Sequence, residues 1–313
     1  MKVAVLVGFF LLVFTSLSIS QPVFAPPVNL GPTINTSAVE SDPFWDGPRN
    51  LLYFVRDFDI WYAQWNGTAW DPPIKLGPQI NTGAGIEQSP SVSSDGQKLY
   101  FVYDLKDGYL WDIWVSNWNS SINDWGTPVN VGPPVNTPGV EFSAHLAPYG
   151  RIIFTSTNDP DSLFPQGRCG IYMSESNGTS WSVPQAQWGC GDPEYPTVAA
   201  DGQWLYFAEF VSDGQSIKAV AWDGLGWVFP VYDLRQQIGG RAGTPFITPS
   251  GDSLFFASGD IGGFGAGDIW LAKRIVPGNV PALSKEYLFF LILVLTFAGA
   301  YWIATRNQRP ANE

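Results

Sequence analysis

The sequence predicts an all-β fold: a five-bladed β-propeller of four-stranded antiparallel blades closed by the N-terminal strand, plus a C-terminal transmembrane helix. Three observations carry this. One phrase recurs five times, its turns and strands keep fixed offsets in each copy, and an orphan strand at one end matches a missing strand at the other. The fullest copy reads Leu76-Gly77-Pro78-Gln79-Ile80-Asn81-Thr82, then Glu87, Pro90, Asp95-Gly96, Leu99-Tyr100-Phe101 and Asp112-Ile113-Trp114. The other copies begin at Leu30-Gly31, Val131-Gly132, Trp188-Gly189 and Leu234. A period of roughly 40 to 60 residues built only of strand-like segments marks an array of small sheets.

Within a copy, Glu87 to Ser93 reads as the innermost strand, Asp95-Gly96 as a tight hairpin turn, and Lys98 to Tyr103 as the second strand. Asp112 to Trp118 is the third strand and Thr127 to Val131 the fourth, giving a meander that forms one blade. The hairpin turns of the five copies are Asp46-Gly47, Asp95-Gly96, Tyr149-Gly150, Asp201-Gly202 and Ser250-Gly251. Third strands carry Asp59-Ile60-Trp61, Asp112-Ile113-Trp114, Gly170-Ile171-Tyr172, Ser216-Ile217-Lys218 and Asp268-Ile269-Trp270. The last copy stops after its third strand, at Arg274, while Pro27-Val28-Asn29-Leu30 has the sequence of a fourth strand. Pairing these two stretches closes five blades into a ring and leaves no long open edge.

The remaining boundaries follow from composition. Residues 1–20, a Lys2 followed by an apolar core and small polar residues, form a secretory signal. Residues 21–275 are the propeller and 276–286 a linker. Residues 287–304 are an uncharged stretch just long enough to span a bilayer, and 305–313 a tail. Arg306 and Arg309 place the tail in the cytoplasm and the propeller outside, at the cell envelope. Charged residues are only 14% of the chain while there are 15 Trp and 33 Gly, which suits twisted sheets joined by tight turns rather than helices. A net charge of -12 without a basic cluster excludes nucleic acid as a partner.

The combination of Leu-Gly-x-x-Ile-Asn-Thr, Glu, Pro, Asp-Gly, Leu-Tyr-Phe and Asp-Ile-Trp resembles the WD40-like, TolB-type propeller repeats of bacterial envelope proteins, over about Val28 to Arg274. That resemblance implies a fold and leaves function open, because such repeats serve binding, scaffolding and enzyme-associated proteins alike. The fourth copy departs most, with Lys218 where the others carry an aromatic residue. Val280-Pro281-Ala282-Leu283-Ser284 is similar to bacterial sorting tails with an Ile-Pro-Thr-Leu-Ser-type motif, which would imply removal of the apolar helix, although the aromatic residue usual after the Ser is missing.

Candidate chemistry is sparse. Glu40, Glu87, Glu141 and Glu194 recur just ahead of the innermost strands, with Gly243 or Thr244 in the fifth place. They are candidate ligand-binding residues at the channel mouth, able to hold a Ca²⁺ ion or a cationic ligand, or else brackets that accept backbone N–H bonds at blade junctions. No other cofactor is implied. The Asp of Asp-Ile-Trp reads as a turn cap. His145, the single histidine, falls on an innermost strand and is a further channel candidate. Cys169 and Cys190 are expected to pair in an exported chain, and no His or further Cys lies near enough in sequence for zinc. Trp70, Trp125, Trp181 and Trp227 recur once per repeat and read as core, leaving Trp111, Trp118, Trp188 and Trp204 for exposed contact. Sequons begin at Asn35, Asn66, Asn119 and Asn177. Nucleophilic catalysis lacks its parts, so the expected function is a membrane-tethered module presenting a propeller face to a protein or glycan. The alternative is a glycoside-active hydrolase using channel carboxylates.

Overall fold

The computed structural model describes residues 21–104, 111–158, 169–189 and 191–275. The chain opens with a short strand β1 (Val28–Asn29). Blade 1 follows as β2 (Glu40–Asp46), β3 (Leu51–Arg56), β4 (Asp59–Gln64) and β5 (Ile74–Lys75). Blade 2 comprises β6 (Ile86–Val92), β7 (Lys98–Asp104) and β8 (Trp111–Asn119), whose end pairs with the side ribbon β9 (Asp124–Trp125), and then β10 (Val129–Asn130). Blade 3 is β11 (Glu141–Ala147), β12 (Arg151–Ser156), β13 (Gly170–Glu175) and β14 (Gln185–Trp188). Blade 4 is β15 (Pro193–Val198), β16 (Trp204–Val211), β17 (Gly214–Trp222) and β18 (Trp227–Asp233), followed by one helical turn, α1 (Arg235–Ile238). Blade 5 is β19 (Gly243–Ile247), β20 (Ser253–Ser258) and β21 (Asp268–Lys273), completed by β1. All pairings within these blades are antiparallel. The innermost strands β2, β6, β11, β15 and β19 each touch the next around the ring, and β19 returns to β2.

The ring closes as the sequence predicts. Val28 pairs with Leu271 and Asn29 with Trp270. Toward the chain ends from that pair, Ala25 N–H donates to the Lys273 carbonyl at 2.8 Å and Ile275 N–H to the Val23 carbonyl at 2.7 Å, and on its other side Leu30 N–H donates to the Ile269 carbonyl at 3.2 Å. The glycine-rich turn before β21 is packed directly on the chain that leaves β1: a Cβ at Gly265 would run into the carbonyl oxygens of Thr36 and Ala38.

Each word of the repeated phrase has a physical task. In Ile-Asn-Thr, the Asn side chain imitates a strand partner for the Ile of Asp-Ile-Trp. Asn81 Oδ1 accepts the Ile60 N–H at 2.8 Å while its Nδ2 donates to the Ile60 and Leu76 carbonyls, each at 2.9 Å. Asn136 brackets Ile113 and Asn35 brackets Ile269 in the same manner. The Asp of Asp-Ile-Trp fastens the outermost strand: Asp268 accepts from Asn29, Asp112 from Asn130, and Asp59 pairs with Lys75. Because Asn35 spends its buried amide on Asn29 and Ile269, its sequon offers no free acceptor, whereas Asn66, Asn119 and Asn177 are exposed. Replacing Asn81 by Ala strands the backbone N–H of Ile60 and the carbonyl of Leu76 and is expected to cost roughly 2–4 kcal/mol. Denaturant midpoints check this, with exposed Asn66→Ala as the mild comparison.

The core lies between blades. On the preceding blade, a second-strand aromatic faces an aromatic from the next blade's outer turn: Tyr100 meets Trp181 edge-on at 5.9 Å. At the closing blade Phe24 takes the Trp position, meeting Tyr206 at 6.0 Å. Two expectations are corrected. The blade 1 hairpin does not turn at Asp46-Gly47; a short turn over Gly47–Arg49 carries it, with Asn50 left-handed at φ 54°. Trp188 and Trp204 are buried, not presented for contact. No helix among the described residues is long and apolar enough to cross a membrane. The signal, the 287–304 span and Cys190, hence the expected Cys169–Cys190 pair, lie outside the described residues.

Candidate functional site

The recurring carboxylates are spent on their own loops. Glu40 is wholly buried; its two oxygens accept the Thr36 N–H at 3.0 Å and the Thr36 hydroxyl at 2.6 Å, and Arg56 pairs with it at 2.7 Å. Glu141 repeats the arrangement on Thr137, with the Ser156 hydroxyl added, and Glu87 accepts from both the N–H and the hydroxyl of Thr82. Glu194 does not share this place. Pro193 pairs with Glu209 where Glu40 pairs with Arg56, so Glu194 stands one residue further along and its side chain follows a different direction.

The sequence misaligned this position because the alignment point is a backbone state rather than a residue type. Asp42, Ser89, Ser143, Tyr195 and Thr244 all have φ between 45° and 55°, one per innermost strand, and register shifts follow at each. Counting back two residues from each gives Glu40, Glu87, Glu141, Pro193 and Ala242. The left-handed residues also tie blades together: Asp42 Oδ1 accepts the N–H and hydroxyl of Ser89 from blade 2, and the Asp42 N–H donates to the Thr244 hydroxyl of blade 5.

Around that ring the acidity is displaced upward. Burial pushes the Asp42 carboxyl above its usual range, although the Ser41 and Ser89 hydrogen bonds oppose it. Glu194 is pushed up to about 7, first by burial and then by the charges of Asp42 and Asp192. One layer along the channel, His145 of blade 3 lies 6.0 Å from Phe246 of blade 5, which lies 4.8 Å from Phe44 of blade 1. These three side chains plug the bore. Neither His145 ring nitrogen has a protein hydrogen-bond partner. Burial lowers its pKa to about 4, with the Pro196 backbone beside it opposing more weakly, so the imidazole is neutral at pH 7. Among the described residues, no group of three or more His, Cys, Asp or Glu is placed to hold a metal ion.

Beyond the plug, at the end where the innermost strands turn back, the ring opens into a cavity of about 1320 Å³. Its lining comes from separate blades: Trp45, Trp65 and Trp70 from blade 1, Lys98 and Tyr100 from blade 2, Tyr149 and Trp181 from blade 3, and Phe246 and Asp252 from blade 5. Trp45 meets Trp70 edge-on at 5.8 Å and Trp65 meets Trp70 at 5.0 Å, an aromatic wall on one side. Tyr149 is 79% exposed at the tip of its hairpin. Two Trp residues that the repeat period assigns to core, Trp70 and Trp181, are therefore only half-buried and face this opening.

The cavity's carboxylates are held by their own turns. Asp46 pairs with Arg49 at 2.7 Å. Asp95 accepts from the Ser93 hydroxyl and the Gln97 N–H, which hold it below the usual carboxylate range. Burial would raise Asp252, but hydroxyls of Ser253, Thr248 and Ser250 outweigh it and bring the group below that range. Sequence reasoning named these segments only as hairpin turns. The available signal was that Tyr149, Asp95 and Asp252 fall in equivalent turns of different copies, which a closed ring must bring to one face.

No protein-family model matches the chain, and no curated protein matches it. Solved structures similar to it include a thermostable family-43 glycoside hydrolase, 15% identical, with 78% of this chain and 91% of that one covered and a TM-score of 0.53. The PQQ-bound aldose sugar dehydrogenase of Streptomyces coelicolor is 14% identical over 82% of this chain and 99% of its own, with a TM-score of 0.50. TolB-like propellers are represented by a putative TolB from Agrobacterium tumefaciens, 19% identical over 78% and 81%, with a TM-score of 0.49. At these identities the likeness is one of fold, an all-β propeller, shared by proteins of different activity.

Proposed function

We propose that this chain is an extracytoplasmic, membrane-tethered binding module, held by the apolar run 287–304, whose aromatic mouth takes a glycan. The observation that supports this most is the chemistry of the mouth. Flat, half-buried indoles offer stacking surfaces for pyranose rings, and serine and threonine side chains stand among them. Asp95 and Asp252 are displaced toward permanent ionisation, the wrong direction for a general acid at neutral pH. A cavity of this size exceeds the usual 300–1,000 Å³ of a small-molecule site, which suits several linked rings.

The test is calorimetric titration of the ectodomain with neutral and acidic oligosaccharides of increasing length. Tyr149→Asn combined with Trp181→Ala is expected to weaken binding at least tenfold. Asn keeps the left-handed backbone that Tyr149 occupies at φ 67°. Wild-type protein that binds no member of the series would defeat the reading. A second reading rests on Glu194, whose acidity suits proton transfer at neutral pH. Glycoside turnover by the wild type that is lost in Glu194→Gln would favour a hydrolase instead.

A further inference from the structure

The direction in which the chain leaves the ring orients it relative to its tether. The final strand β21 runs toward the hairpin end of blade 5, where Lys273 pairs with Ser253 and the Arg274 N–H donates to the Asp252 carbonyl at 2.8 Å. Lys273, Ser253 and Asp252 all line the aromatic cavity. The N-terminal segment enters at the same end, because the Ile275 N–H reaches the Val23 carbonyl. Both chain ends therefore depart on the side where the mouth opens.

Eleven residues, 276–286, separate Ile275 from the uncharged run 287–304. Fully extended, they span at most about 40 Å. Residues on the mouth side therefore sit close to the bilayer surface, and the opposite face needs the whole depth of the ring in addition. The opposite face carries Asp57, Asp59, Asp192, Glu209, Asp213 and Asp260, but Lys75, Lys218, Arg235 and Arg241 pair with four of them, so charge does not separate the two faces and the orientation rests on where the chain leaves the ring. The exposed Tyr149 ring is of the kind that settles at headgroup level.

We infer that the aromatic mouth is apposed to the lipid surface from which its own chain hangs, so that its ligand enters from the gap between propeller and bilayer. This rests on the membrane-tethered reading above. The test uses the full-length protein in vesicles of phosphatidylcholine and phosphatidylglycerol carrying a headgroup-labelled acceptor lipid. A donor dye is attached through p-azidophenylalanine, placed on the mouth side at Tyr149 or Leu225 and on the far side at Phe58 or Phe210, all exposed positions. Energy transfer is expected to be several-fold greater from the mouth-side pair. Equal transfer, or more from the far side, in protein that floats with the vesicles overturns the orientation while leaving the tether intact. Protein that does not float overturns both, and neither result bears on whether the mouth binds sugar.

Discussion

A chain beginning at Thr36 is expected to lose cooperative folding. The missing segment supplies the outer strand of blade 5, the Phe24 ring against Tyr206, and the Asn35 bracket on Ile269. Phe24 is 4% exposed, and removing such a ring alone costs roughly 3–5 kcal/mol. The buried N–H and C=O of Ile269, left without Asn35, cost roughly 1–3 kcal/mol each. The total approaches the whole stability of an ordinary domain, about 5–15 kcal/mol. Circular dichroism and guanidinium titration of the truncated chain should therefore show no sharp transition, and a separate peptide of residues 21–37 should restore one. A truncated protein with the midpoint of the intact one would show that the N-terminal strand is decoration rather than the lock of the ring.

The second large effect concerns pH, where a half-buried carboxyl and a buried imidazole of the channel oppose each other. Glu194 titrates near 7 in the folded protein against an ordinary value of 4.5. Between those values the native state holds a proton that the unfolded chain has released. This group therefore stabilises the fold increasingly as pH falls from about 7 to 4.5, and its penalty is fully present above 7. His145 titrates near 4 against an ordinary 6.5, so the unfolded chain gains the proton first. Its contribution is intact above 6.5 and is lost as pH falls toward 4. Each shift corresponds to about 3 kcal/mol.

Between pH 6.5 and 4.5 the contributions of these two groups should therefore nearly cancel in the intact protein. Glu194→Gln should raise stability above pH 7 by about 3 kcal/mol and expose a steep loss on acidification. His145→Phe should do the reverse, leaving a protein that gains stability as acid is added, with His145→Gln as a check on packing. Urea midpoints across this range measure both, and variant profiles that run parallel to wild type would mean that neither group is buried as described.

What could be read from the sequence is what a single repeat decides by itself. A hairpin at Asp95-Gly96, the strand Leu99-Tyr100-Phe101, the third strand opening at Asp112-Ile113-Trp114 and the match between Val28-Asn29 and the end of the chain depend on local turn geometry, side-chain alternation and the need to leave no edge unpaired. The task of Asn81 was hidden although its recurrence was plain, because an amide that replaces a strand partner acts on Ile60, twenty-one residues away. Glu194 was placed one residue out of register because its alignment is set by the left-handed backbone at Tyr195, a state that the residue name does not announce. The mouth was beyond the sequence altogether. Trp45, Tyr149 and Trp181 share a cavity, and Asp42 and Glu194 share a field, only because closing the ring carries residues a hundred or more positions apart to one axis. Which side of a repeated residue meets its neighbours is decided by packing between blades, and a repeat considered singly contains no neighbours.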